Sequence, residues 1–118
     1  MKKITILLFF PLIVSCNQAK EEVPNNILSV EQMTAIMVDI QLIEGGVVIM
    51  KFNKDKDRKE ILKYYDSLYE EHQIDKPLFD KSLEYYCKRP GLFVDIYDGV
   101  INKLSEIQAE VENRKDYP

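Results

Sequence analysis

Apolar residues recur along this chain in two patterns: one continuous run near its start, and then three- and four-residue spacings from Leu28 onward. The first run extends from Ile4 to Val14, broken only by Thr5 and Pro11, with Lys2 and Lys3 ahead of it and the small Ser15 just before Cys16. That order matches the charged, apolar and cleavage regions of an export signal. A membrane-spanning helix needs about 20 apolar residues, and this run is shorter and contains a proline, so a removable leader fits better than a permanent span. From Asn17 to Asn26 the chain reads NQAKEEVPNN, polar and aperiodic, which predicts a flexible tether. Ten such residues reach at most about 35 Å.

Helical periodicity begins with Ser29-Val30-Glu31-Gln32, a capping box flanked by Leu28 and Met33 as a hydrophobic staple. Met33, Ile36, Met37, Ile40 and Ile43 continue it as one apolar stripe. Gly45-Gly46 interrupts the stripe and predicts a kink or a close helix crossing. Val47, Val48, Ile49, Met50 and Phe52 are then apolar on every side, which predicts cover by another helix or, alternatively, an exposed docking patch. Asn53 to Asp57 is a polar connection. Its alternating Asn and Asp resemble a calcium loop superficially, but Arg58 and Tyr64 stand where such a loop needs glycine and glutamate, so no metal is expected. Asp57 is the expected cap of a second helix with Ile61, Leu62, Tyr65, Leu68 and Tyr69 inward, ending near His72. Asp75 and Pro77 open a third helix, with Phe79, Leu83, Tyr86 and Cys87 inward, that closes at Lys88 and Arg89. Pro90-Gly91 reads as a turn. The last helix, Leu92 to Arg114, carries a seam of Phe93, Tyr97, Val100, Leu104, Ile107 and Val111, and its far end is expected to lie along the first helix and cover Gly46 to Phe52.

Ile13-Val14-Ser15-Cys16 resembles the bacterial lipobox, whose cysteine becomes the acylated first residue of the mature protein. The organisation expected is therefore a cleaved lipoprotein signal peptide over residues 1–15, a lipidated Cys16 and tether over residues 16–28, and an all-α bundle of about four helices over residues 29–115. Removing residues 1–15 takes away two lysines and no acid, leaving 14 basic and 20 acidic residues, a formal charge of −6. Such a chain is a poor ligand for nucleic acid. With Cys16 acylated, Cys87 is the only thiol and no internal disulfide can form. Lys20-Glu21-Glu22 resembles the short acidic signals that bring some Bacteroidota lipoproteins to the cell surface, and equally reads as a solvated linker.

Candidate chemistry is sparse. His72 is the single histidine, which excludes a histidine-rich metal set, and no phosphate-binding glycine loop is present. Cys87 beside Lys88 and Arg89 reads as a small half-buried residue more readily than as a reactive thiol. Asp39 lies on the core-facing side of the first helix and should find an ionic partner, with Lys or Arg the expected type.

Leu28, Asp39-Ile40-Gln41-Leu42 with Glu44, Tyr69, His72, Ile74, Phe79, Ser82-Leu83, Tyr85-Tyr86, Pro90, Ile96-Tyr97, Val100 and Leu104 together resemble a Bacteroidota lipoprotein family known as domain of unknown function 4296. The resemblance spans about Ile27 to Leu104. It implies a helical envelope domain and no established activity. Gln41 stands where histidine is common in that family, so no role tied to a histidine there carries over. The expectation from the whole sequence is a non-enzymatic module without cofactor, anchored in membrane lipid through acylated Cys16 in the cell envelope, on the periplasmic or surface side of the outer membrane. It would contact an envelope protein partner, or a second copy, through Val47, Ile49, Met50 and Phe52. The alternative is a small enzyme or ligand carrier with a buried polar site at Asp39 and His72, joined by Tyr65 and Cys87.

Overall fold

The structure is a computed structural model and describes residues 21–115; the expected leader, Cys16 and the beginning of the tether lie outside them. The fold is all-α, with four helices and no strand among the described residues: α1 (Val30–Ile49), α2 (Arg58–Glu71), α3 (Lys76–Cys87) and α4 (Pro90–Lys115).

α1 starts where the capping box sets it. The Gln32 amide donates to Ser29 Oγ at 3.1 Å, and the Ser29 amide donates back to Gln32 Oε1 at 2.9 Å. This helix is the axis of the bundle and touches the other three, so it is apolar on more than one side: Met33 and Ile36 are buried, as is Val38, which lies outside the expected stripe. By length and composition alone α1 could cross a membrane, with a mean hydropathy of 1.4. Its buried face and paired cap make it the central helix of this bundle.

α2 folds back along α1, burying Leu68 and half-burying Ile61, Tyr65 and Tyr69. Leu62, expected inward, faces solvent. Both helices end in the same device. After α1 the Lys51 amide donates to the Val48 carbonyl and the Phe52 amide to the Val47 carbonyl, each at 3.1 Å, with Lys51 at φ 55°. After α2 the amides of Gln73 and Ile74 donate to the carbonyls of Glu70 and Tyr69 at 3.0 Å, with Gln73 at φ 54°. These are Schellman caps built on left-handed residues that are not glycine. Asp57 stands at the start of α2 without capping it; its Oδ2 accepts from the Asn53 amide at 2.7 Å, which closes the polar loop on itself.

α3 begins as expected, with the Leu78 amide donating to Asp75 at 2.8 Å. Pro90 and Gly91 do not form a separate turn; proline is the first residue of α4, where its missing amide hydrogen leaves nothing unsatisfied. α4 buries Ile96 and Val100, whereas Tyr97 and Val111 of the expected seam are exposed. It meets α1 at Gly99, where a Cβ would come within 2.9 Å of Thr34 Cγ2. The close crossing expected at Gly45-Gly46 is therefore at Gly99, toward the start of α1, and the far end of α4 does not cover Gly46 to Phe52. From Gln108 to Lys115, α4 is exposed on all sides.

The segment expected to be a loose tether up to residue 28 is held from Val23 onward. The Ile27 amide closes a turn on the Pro24 carbonyl at 3.0 Å, and Val23 and Ile27 pack on the core. Buried Leu28 is fixed through both of its backbone groups: its amide donates to Ser82 Oγ at 3.0 Å, and its carbonyl accepts from Tyr86 Oη at 2.7 Å. Arg89, stacked 3.7 Å over the Tyr85 ring, donates to Glu21 at 3.0 Å.

Candidate functional site

The apolar end of α1 has no cover. Val47 is buried, but Val48, Ile49 and Met50 are 73 %, 81 % and 60 % exposed. Of the two readings for this stretch, cover by a helix fails for these three residues, because α4 crosses α1 near its other end. A Cβ at Gly45 or Gly46 would find nothing within 4 Å, so no backbone approaches there. Phe52 turns back, half-buried, against Tyr64 with ring centroids 6.5 Å apart. Leu42, Gly46, Met50, Phe52 and Tyr64 wall an apolar hollow of about 270 Å³. Exposed Lys51, Lys54, Lys56, Arg58 and Lys59 follow directly in the chain. Single exposed apolar residues are ordinary, whereas a contiguous group of this kind marks a contact surface.

Two polar couples join α1 to α2 deeper in the hairpin. His72 Nε2 lies 2.7 Å from Asp39 Oδ2, so the ring nitrogen donates to the carboxylate. The expected partner of Asp39 was Lys or Arg. The antiparallel return of α2 brings its C-cap histidine there instead, and Asp39 is half-exposed rather than buried. One and a half turns further along α1, Tyr65 Oη donates to Glu44, a pair that sequence reasoning missed. Burial, and then this carboxylate, push the Tyr65 hydroxyl up to about 12.

Of the four residues grouped as a possible core site, the structure joins Asp39 and His72, places Tyr65 in its own couple with Glu44, and leaves Cys87 exposed on α3. Asp39 and His72 open onto different grooves. Asp39 edges one of about 560 Å³ between α1 and α4, floored by Val30, Val38 and Ile107 and rimmed by Glu31, Asp95 and Glu106. His72 edges another of about 500 Å³ beside Asn25, Gln32 and Gln73. Among the described residues no Ser, Thr or Cys side chain hydrogen-bonds to His72. Among the same residues, no three His, Cys, Asp or Glu side chains gather as a metal site would require.

Neither a curated protein nor a solved structure matches the chain. The profile of one family, described as a domain of unknown function, matches residues 24–110, beginning where the structure shows the chain turning into the core. That match covers most of the chain, and with the four-helix fold and the clamped Leu28 inside it, the chain belongs to the DUF4296 family.

Proposed function

We propose that this chain is a lipid-anchored module of the bacterial cell envelope that works by contact rather than by catalysis. The observation that carries this reading is the uncovered apolar end of α1, where three consecutive large apolar side chains face solvent in a domain this small. The lipobox-like Ile13 to Cys16 and the leader before it supply the anchor, and the few residues between Cys16 and the clamped segment keep the domain close to the bilayer. The contact residues are Val48, Ile49, Met50 and half-buried Phe52, with Val47 holding the end of α1 to the core.

Mass spectrometry of the mature protein from its native cells should find Cys16 acylated, and a photo-crosslinker at Ile49 in intact cells should form adducts that one at Tyr97 does not. An unmodified thiol at position 16, or equal adduct yields at the two positions, overturns the proposal. The reading as a small enzyme or carrier keeps only the Asp39–His72 couple, since Tyr65 and Cys87 stand apart from it. His72→Gln that abolished function without changing thermal stability would restore it.

A further inference from the structure

The end of α1 sets three exposed apolar side chains directly beside a run of cations. Protein–protein contacts are depleted in lysine at their centre. Here residues 51–59 place Lys51, Lys54, Lys56, Arg58 and Lys59 against only two acids, Asp55 and Asp57, on a mature chain whose net charge is −6. Asp57 already accepts the Asn53 amide, and Lys54 pairs with Glu44 only at 4.0 Å, while Lys51, Lys56, Arg58 and Lys59 make no ion pair among the described residues, which leaves them available to an outside charge. Directly before them stand the exposed Val48, Ile49 and Met50. An apolar tip followed by a cationic fringe fits an anionic lipid surface: the apolar groups enter the boundary between headgroups and acyl chains, and the cations meet the phosphates.

Reach allows it. Val48, Ile49 and Met50 circle the last turn of α1 and its cap, so the tip presents apolar side chains end-on, with Tyr64 beside them, and tyrosine suits a membrane interface. α1 is about 30 Å long, and the seven steps from Cys16 to Val23 span at most about 25 Å. With α1 inclined, its last turn therefore meets the bilayer while Val23 stays within the tether's span of it. We propose that the α1 tip seats on the anionic lipid surface of the same bilayer that holds Cys16, so that the module has a second, reversible foothold there. The nearness of that bilayer rests on the lipid-anchor reading above; the affinity of the tip for lipid does not.

The test uses the mature chain from residue 16 with Cys16→Ser, which removes the anchor and leaves the whole core. It is sedimented with vesicles of phosphatidylcholine, with or without about one third phosphatidylglycerol, at low salt. Binding to the anionic vesicles alone is expected. Each basic side chain contributes about fivefold to partitioning, so Lys51→Gln, Lys54→Gln and Lys56→Gln together should weaken it by on the order of a hundredfold. Val48→Ser, Ile49→Ser and Met50→Ser should abolish it, with circular dichroism unchanged because all three are exposed. No preference for anionic vesicles, or triple variants that bind like the parent, overturns the inference. Adducts at Ile49 in cells that are protein and contain no lipid also overturn it while leaving the contact module intact. Absence of an acyl group on Cys16 overturns the module's anchor without altering the vesicle result.

Discussion

Leu28 is the residue on which the leading end of the domain depends. Its amide and carbonyl are out of water and are met by Ser82 Oγ and Tyr86 Oη, side chains that come from more than fifty residues away. Tyr86→Phe keeps the ring and deletes the donor, leaving a buried carbonyl unmet, which costs about 1–3 kcal/mol. Urea denaturation should show that loss, and Ser82→Ala should show a similar one from the amide side. Tyr65 yields a different prediction. Burial and the Glu44 carboxylate hold its proton to about 12, whereas an unfolded chain releases it near the ordinary value of 10.0. The folded state thus binds this proton more tightly, so its contribution is complete below pH 10 and is lost as pH rises from there toward 12. Thermal melts at increasing pH should fall in that window, and Tyr65→Phe should flatten the fall. These contacts were beyond the reach of periodicity. The spacing places Ser82 and Tyr86 on α3, with Tyr86 on its apolar face, but nothing local states that their oxygens meet a backbone group before α1.

Helix existence, by contrast, was legible almost throughout, because caps and apolar spacing are local. Ser29 and Asp75 announce their helices and do cap them. The second and third helices also end where expected, at His72 and Lys88; what no local pattern announces is that Lys51 and Gln73, neither of them glycine, take the left-handed position after α1 and α2. A residue with a Cβ costs about 1–2 kcal/mol there. Gln73→Gly should recover about 1 kcal/mol of this and raise Tm by roughly 4–8 °C, as calorimetry would show. Gly99 carries no signal in the pattern of the chain. It sits one residue before the buried Val100 inside an unbroken apolar spacing, whereas the Gly45-Gly46 pair stands out, yet only Gly99 meets another helix. Thr34 is held there by its hydroxyl, which donates to the Val30 carbonyl at 2.8 Å. Gly99→Ala should therefore destabilise by about 1–3 kcal/mol through overpacking. Adding Thr34→Ala leaves only the ordinary 3.7 Å contact with its Cβ and should restore stability.

At the scale of the molecule the bundle is lopsided. One set of contacts gathers the start of α1, the middle of α4, α3 and the clamped segment, and the far end of α1 keeps only α2 for company. The four-helix class was readable from the chain and the amphipathic faces were in part, with Val38, Leu62, Tyr97 and Val111 the exceptions, but the pairing of helix ends was not. It depends on where α4 crosses α1, and a narrow apolar seam fits several crossings equally well. The exposed last turns of α4 contribute little to the fold. Ending the chain at Gln108 should change Tm by less than about 2 °C, since few buried contacts are removed. Beginning it at Ser29 should lower Tm far more, because Leu28 and its two hydrogen bonds go. The clamp has a mechanical consequence too. Tension on the chain ahead of Val23 is handed through Leu28 to the middle of α3 before it reaches the first turn of α1. A pull from that side therefore loads these two hydrogen bonds before it can reach the end of the central rod.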